Sequence, residues 1–347
     1  MTWSPDSAPV RLCAQLPGAG GAYKLSPEDF AVEEIPAYAP AGSGEHTFLW
    51  VEKRGLTTLE AARRLAAALS ADPAGAGTAG LKDKQALARQ WISLPRVDPA
   101  RALALADTVD GLRVLDARRH PHKLRTGHLR GNRFTVTLRG CAPDAAVRAS
   151  AILDCLAARG LPNFYGAQRF GRDADNAARG RALLCGGGAA VRDRRERRLL
   201  ASALQSALFN ALLRRRVEAA TQRRALFGDV LCKTATGGLF LCTDPVADQA
   251  RIEAWDVQPT GPMFGPKMMA PALGSEPAIL ESAVLAEAGL ALADFARVGR
   301  LAPGSRRPLA LRLAEIALAA PAAGVLTLSF ALPAGAYASV LLDEIIG

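Results

Sequence analysis

Between Glu315 and Asp343 the chain carries no charged residue, a run long enough on paper to cross a bilayer. Four breakers interrupt it: Pro321, Gly324, Pro333 and Gly335. A spanning helix would have to tolerate all four, whereas a buried strand over residues 325–331, a turn and a closing helix need them where they stand. The run therefore reads as the core of a folded domain and not as a membrane anchor. Half of the 347 residues are apolar. That length suggests two domains, either of which can bury a core without disulfides or metals.

The six cysteines, Cys13, Cys141, Cys155, Cys185, Cys232 and Cys242, lie far apart, with no C-x-x-C. Such spacing offers neither a disulfide framework nor a zinc site, so they read as reduced thiols. Trp3, Pro5 and Asp6 stand where a signal peptide places basic residues followed by an apolar run. A cytoplasmic location is the expectation.

The formal net charge of +10 is unevenly placed. Residues 111–139 hold eight basic residues (Arg113, Arg118, Arg119, Lys123, Arg125, Arg130, Arg133 and Arg139) and one acid, Asp116, a local +7. Residues 189–224 hold ten arginines and three acids, another +7, which leaves the rest of the chain slightly acidic. Arg-rich stretches that also carry glycines and scattered aromatics favour a nucleic-acid partner. The plainer alternative is a solvated face of an Arg-heavy protein.

Residues 30–32 and 48–51 read as paired strands, with Pro36, Pro40, Gly42 and Gly44 in their connection. Thr57 stands three positions before Glu60, and Leu59, Ala62, Leu65, Ala66 and Leu69 recur at helical spacing, so a helix is expected over about residues 58–70. Asp83 then falls on a turn before a strand over 90–94, and residues 112–115 and 134–138 show further strand alternation. The texture changes at Gly160-Leu161-Pro162. A Gly186-Gly187-Gly188 linker, a helix with Leu200, Leu204, Leu208 and Leu212 that ends in Arg214-Arg215-Arg216, and a Pro/Gly cluster over 258–265 follow. Strand character returns after Arg307. The expected organisation is a discontinuous α+β domain, 1–159 plus 307–347, interrupted by an inserted domain, 160–306.

Gly18, Gly20 and Gly21 do not make a dinucleotide loop, because no strand leads in and no helix leads out. His120, His122 and His128 admit a metal or a phosphate, and the cations Arg118, Arg119, Lys123 and Arg125 around them favour phosphate. There is no G-x-S-x-G. Asp83, between Lys82 and Lys84, is biased toward its ionised form, as a nucleophile requires. Those three residues alone also suit an ordinary turn aspartate.

Ala79-Gly80-Leu81-Lys82-Asp83-Lys84 resembles the catalytic motif of the TruD family of tRNA pseudouridine synthases. Other landmarks follow in the family's order: Pro27-Glu28-Asp29-Phe30-Ala31-Val32-Glu33-Glu34, Gly42-Ser43-Gly44-Glu45-His46, Gly131-Asn132-Arg133-Phe134, residues 162–171 (PNFYGAQRFG), Ser206-Ala207-Leu208-Phe209-Asn210, and residues 332–339 (LPAGAYAS). The matches are collinear over nearly the whole chain.

The resemblance implies a pseudouridine synthase fold, a mixed and mostly antiparallel sheet with flanking helices, with the family's TRUD domain of α+β type inserted. It implies isomerisation of uridine 13 in the D-arm of tRNA, on a base flipped out of the RNA, with no cofactor and no metal. Asp83 would be the nucleophile. Phe30, Asn132 and Tyr337 match positions that contact the base; Tyr337 carries a hydroxyl where many relatives have Phe. Lys24, Glu33, Lys82, Lys84, Phe134 and Arg169 are expected as supporting groups. The partner implied is tRNA, with no membrane, no obligate protein partner and a monomeric state. The competing reading, a tRNA-binding protein or chaperone without catalysis, is disfavoured by the intact Lys82-Asp83-Lys84.

Overall fold

A computed structural model describes residues 8–105, 109–187 and 191–347. Trp3, Pro5, Asp6 and Gly188, on which the leader and linker expectations rest, lie outside the described residues. The chain forms two compact units. One contains Pro17–Ala151, Leu313–Ala338 and Ile345–Gly347; the other contains the described residues up to Leu16, then Ile152–Arg312 and Ser339–Glu344.

The first unit is built on a twisted sheet. Its strands are β1 (Phe30–Pro36), β2 (His46–Arg54), β3 (Leu87–Pro95), β4 (Leu112–His120), β5 (Leu129–Cys141), β6 (Ala314–Ala322) and β7 (Val325–Pro333). They lie in the order β6-β7-β5-β1-β3-β2-β4, and the short strands Gly20–Ala22 and Gly77–Thr78 add to β5 and β3. The pairs are antiparallel except β1 with β3. The uncharged run thus becomes the β6–β7 hairpin and the start of a closing helix; among the described residues no helix is long and apolar enough to cross a membrane.

One expectation is overturned here. β1 and β2 do not pair, because β3 lies between them, parallel to β1 and antiparallel to β2. The Pro/Gly-rich connection between them is a crossover and not a tight hairpin turn.

Residues paired across a sheet share a face. Three rows therefore lie side by side across β1, β5 and β7: Phe30-Val136-Leu328, Val32-Phe134-Phe330 and Glu34-Asn132-Leu332. Helix α1 (Thr58–Ala68) packs on the part of the sheet formed by β2 and β3, placing Ala61, Ala62, Leu65 and Ala66 on Leu49, Val51, Ile92 and Leu94. Thr57 caps it: its hydroxyl accepts from Glu60 N at 3.2 Å and the Glu60 carboxylate accepts from Thr57 N at 2.8 Å. Leu59, expected on the apolar stripe, is instead exposed.

The second unit is organised by α3 (Arg194–Glu218), whose inward stripe includes Leu200, Leu204, Leu208 and Leu212; α2 (Ala145–Arg159) enters this unit through its second half. A four-stranded antiparallel sheet accompanies it, running Leu239–Leu241, Val230–Lys233, Val257–Met263, Ser305–Pro308. The Pro/Gly cluster is thus a buried strand. The compact units divide at 151/152 and 312/313. Segments from both ends of the chain also join the second unit, because Leu12 N and Cys13 N donate to the Glu344 carboxylate at 2.6 and 3.0 Å. Arg159 donates to Leu12 O at 3.2 Å.

Candidate active site

Asp83 lies on the loop that leads into β3, and its side chain is 42% exposed. Its carboxylate partner is Lys24, whose Nζ stands 2.7 Å from Oδ2. Lys24 adopts φ 63°, a left-handed backbone that costs a non-glycine residue about 1 kcal/mol. The same ammonium lies 4.3 Å from the centroid of the Phe30 ring, close enough for a cation–π contact. Lys24 therefore holds the carboxylate and the aromatic together.

The main chain of Asp83 is anchored from behind. Lys53, wholly enclosed on β2, donates from Nζ to Asp83 O at 2.6 Å and to Leu56 O at 2.7 Å. Burial pushes its ammonium down to about 8 despite the opposing pull of Asp83. Lys82 N donates to Thr58 Oγ1 at 2.8 Å, and Thr58 Oγ1 donates to Gln90 Oε1 at 3.0 Å.

The two lysines that flank Asp83 behave differently from the sequence expectation. Lys82 turns its ammonium inward to Glu34, 3.0 Å away, with both side chains buried. Burial raises the Glu34 pKa above the usual carboxylate range, with Lys82 opposing. Lys84 is exposed and lies near Glu60. The cation at the Asp83 carboxylate comes from Lys24, fifty-nine positions away.

Glu34 lies directly across from Asn132, and Asn132 from Leu332. The Asn132 Oδ1 is enclosed without a hydrogen-bond donor among the described residues. Such an acceptor calls for a partner. Beside it, Phe134 sits 5.9 Å from Phe30 and 5.2 Å from Phe330 between ring centroids, and all three are buried. Each such pair contributes about 0.5–1.5 kcal/mol beyond its burial. Gly131 is forced by close approach: a Cβ there would lie 2.2 Å from Leu332 O. Tyr337, half-buried, follows a turn tied to the start of β5 by Ala334 N donating to Arg130 O at 3.0 Å.

Two expected residues stand elsewhere. Glu33 points to the opposite face of the sheet from Phe30 and Glu34, because side chains alternate along a strand. There it joins a row of alternating charge: Glu52–Arg89 at 2.8 Å, Arg89–Glu33 at 3.7 Å, Glu33–Arg133 at 3.4 Å and Arg133–Glu315 at 2.6 Å. Arg169 belongs to the second unit, where its guanidinium donates to Ser206 Oγ at 3.1 Å and to Ser202 Oγ. Sequence reading missed Lys53, Glu34, Thr58 and Gln90. A lysine at the inward position of the alternation Leu49, Val51, Lys53 was the available signal.

The basic segments divide in the same way. The loop after β4 docks on the strand leading to the Asp83 loop: Gly127 N donates to Ala79 O at 2.8 Å, and a Cβ on Gly77 would lie 2.3 Å from Leu124 O. Arg125 and Arg130 are exposed beside it. His120 stacks on Tyr38 at 5.3 Å, and Tyr38 Oη lies 2.7 Å from His128 Nδ1. Burial, then the neighbouring histidines, lower the His120 pKa. Among the described residues no group of three or more His, Cys, Asp or Glu is placed to hold a metal. In the second unit Arg216 is consumed by a buried pair with Asp229 at 2.7 Å, and Arg223 lies 3.8 Å over the Trp255 ring. Arg192, Arg194, Arg195 and Arg198 remain exposed.

A mixed, mostly antiparallel sheet with one aspartate on the loop entering a central strand, and an aromatic row on the same face, defines a protein of the pseudouridine synthase fold. The family model described as tRNA pseudouridine synthase D (TruD) matches residues 10–190 and 186–345. The tRNA pseudouridine synthase D of Anaeromyxobacter dehalogenans strain 2CP-1 is 49% identical over 337 residues, covering 96% of this chain and 94% of that protein. The protein of the same name from Thermus thermophilus is 42% identical over 346 residues, 99% of this chain and 94% of that one. A crystal structure from Methanosarcina mazei described under the same family name superposes with a TM-score of 0.79, covering 98% and 96% of the two chains, at 22% identity. The chain belongs to the tRNA pseudouridine synthase D family.

Proposed function

We propose that the chain isomerises uridine to pseudouridine at position 13 of tRNA, with Asp83 as the nucleophile acting on a base extruded from the D-arm. The observation that carries this reading is a solvent-reachable carboxylate, fixed by Lys24 and Lys53. It lies by the sheet face that also presents the Phe30, Phe134 and Phe330 cluster and the Asn132 Oδ1, which has no hydrogen-bond partner among the described residues. The relatives' names support the same substrate class.

In the reaction the N1–C1′ bond breaks, the uracil turns, and a C5–C1′ bond forms; the C5 proton leaves to solvent and N1 takes one up. The rearrangement is redox-neutral, so no electron carrier enters the balance. A fixed carboxylate serves attack at C1′, attack at C6 or a glycal route, because each develops positive charge or a covalent bond where an anion is useful. Asn132 Oδ1 accepts from uracil N3–H, and Phe30 and Tyr337 pack on the base, offsetting the few kcal/mol that unstacking costs. The cations Arg125 and Arg130 meet backbone phosphates. In this reading the enzyme works as a cytoplasmic monomer.

Tritium release from tRNA labelled at uracil C5 tests it. Wild-type protein releases label, and Asp83→Asn releases none while binding tRNA as before. Full release by that variant would remove Asp83 from the chemistry.

A further inference from the structure

Lys53 is fully enclosed, with no measurable exposure. Enclosing an ammonium costs several kcal/mol unless its protons find acceptors. Here they find two main-chain carbonyls, those of Leu56 and Asp83, at 2.7 and 2.6 Å. No carboxylate oxygen lies within ion-pair distance of it among the described residues; the charges that face it are Asp83 and Lys82 from the loop and Glu60 from α1. A cation kept in the core at that cost, with its bonds on the backbone of the nucleophile's own residue, is poorly explained as core filling.

We propose that Lys53 is a positioning residue for Asp83: its ammonium clamps the Asp83 carbonyl to that of Leu56 and so fixes the direction from which the carboxylate meets the base. The inference rests on Asp83 being the nucleophile. Thr58 and Gln90 hold the preceding residue from the same side, through Lys82 N, so the loop is pinned at two consecutive residues. Lys24 orients the carboxylate from the front. Of the two anchors on the loop's main chain, the Lys53 bond is the one whose strength depends on charge, because a charge-assisted bond is about twice as strong as a neutral one. Its loss moves Asp83 without touching the RNA, and a displacement of about 1 Å costs on the order of 100-fold in rate.

Single-turnover rates and tRNA affinity, measured for wild type, Lys53→Met and Lys53→Arg across pH, test the proposal. Wild type is expected to lose rate above a midpoint of about 8, with tRNA affinity level through it. Lys53→Met is expected to be slower by roughly 100-fold with affinity within about twofold and no such limb. Lys53→Arg, permanently charged, recovers part of the rate and also lacks the limb. A wild-type rate level from about pH 7 to about pH 9.5 overturns the proposal whatever the variants do. So does a Lys53→Met protein that turns over like wild type. If wild type makes no pseudouridine at all, it is the proposed function that fails.

Discussion

Replacing Lys82 by methionine isolates the buried Lys82–Glu34 pair. The two side chains are 4% and 1% exposed and their charges 3.0 Å apart. At an effective dielectric near 20 such a pair is worth about 5.5 kcal/mol of attraction, and breaking a buried pair costs about 3–5 kcal/mol because the remaining charge is stranded. Lys82→Met is therefore expected to lose about 3–5 kcal/mol near pH 8, read by urea unfolding through the fluorescence of Trp50 and Trp91, whose rings lie 5.2 Å apart on the same sheet. The Glu34→Gln/Lys82→Met double variant keeps an acceptor for Trp91 N, 3.3 Å from Oε1, and should recover most of that loss. The pH dependence follows from the direction of the Glu34 shift. Its folded pKa is already raised by burial, with Lys82 the main opposing influence, so removing Lys82 raises it further. A carboxyl raised above its unfolded value contributes stability that is present below the unfolded pKa and lost as pH rises through the folded one. The deficit of Lys82→Met must therefore shrink as the pH is lowered toward the ordinary carboxylate range. A loss under about 1 kcal/mol near pH 8, or a deficit that ignores pH, refutes the account of Lys82 as a buried structural partner.

Other outcomes follow from the same geometry. Glu33→Ala, on the far face of the sheet, should leave turnover within about twofold and cost less than about 1 kcal/mol, since its pairs are half-exposed; a large fall in rate would return Glu33 to the site. Affinity for tRNA should fall steeply with salt, and Arg125→Gln with Arg130→Gln should flatten the log–log slope by about one unit per lost phosphate contact; an unchanged slope would place the RNA elsewhere.

What was legible in the sequence was what local pattern decides. The capping of α1 by Thr57 and Glu60, the loop position of Asp83 and the strand, turn and helix at the end of the uncharged run depend on neighbours in the chain, whereas β6, the run's first strand, was not foreseen. Phe30, Asn132 and Phe134 came from motif resemblance, and the sheet register places their positions on one face. The misreadings arose where distant segments compete. The strand over 87–95 took the place beside β1 that proximity had given to β2. Lys82, adjacent to Asp83, went to Glu34, while Lys24 took Asp83, because a side chain's direction is set by the loop's tertiary anchoring and not by sequence adjacency. Of the arginines that carried the charge argument, Arg216 and Arg223 turned out to be architectural, which net charge alone does not distinguish.

The placement of β7 bears on how the polypeptide is made. β5 pairs with β1 on one side and, from Gly131 to Arg139, with the whole of β7 on the other. Yet roughly 170 residues separate the end of β5 from the start of the β6–β7 hairpin, and at ~5–20 residues per second a ribosome needs on the order of 10–30 s to deliver them. Throughout that interval the nascent sheet holds an unpaired edge, with Phe134 lacking Phe330 and Asn132 lacking Leu332.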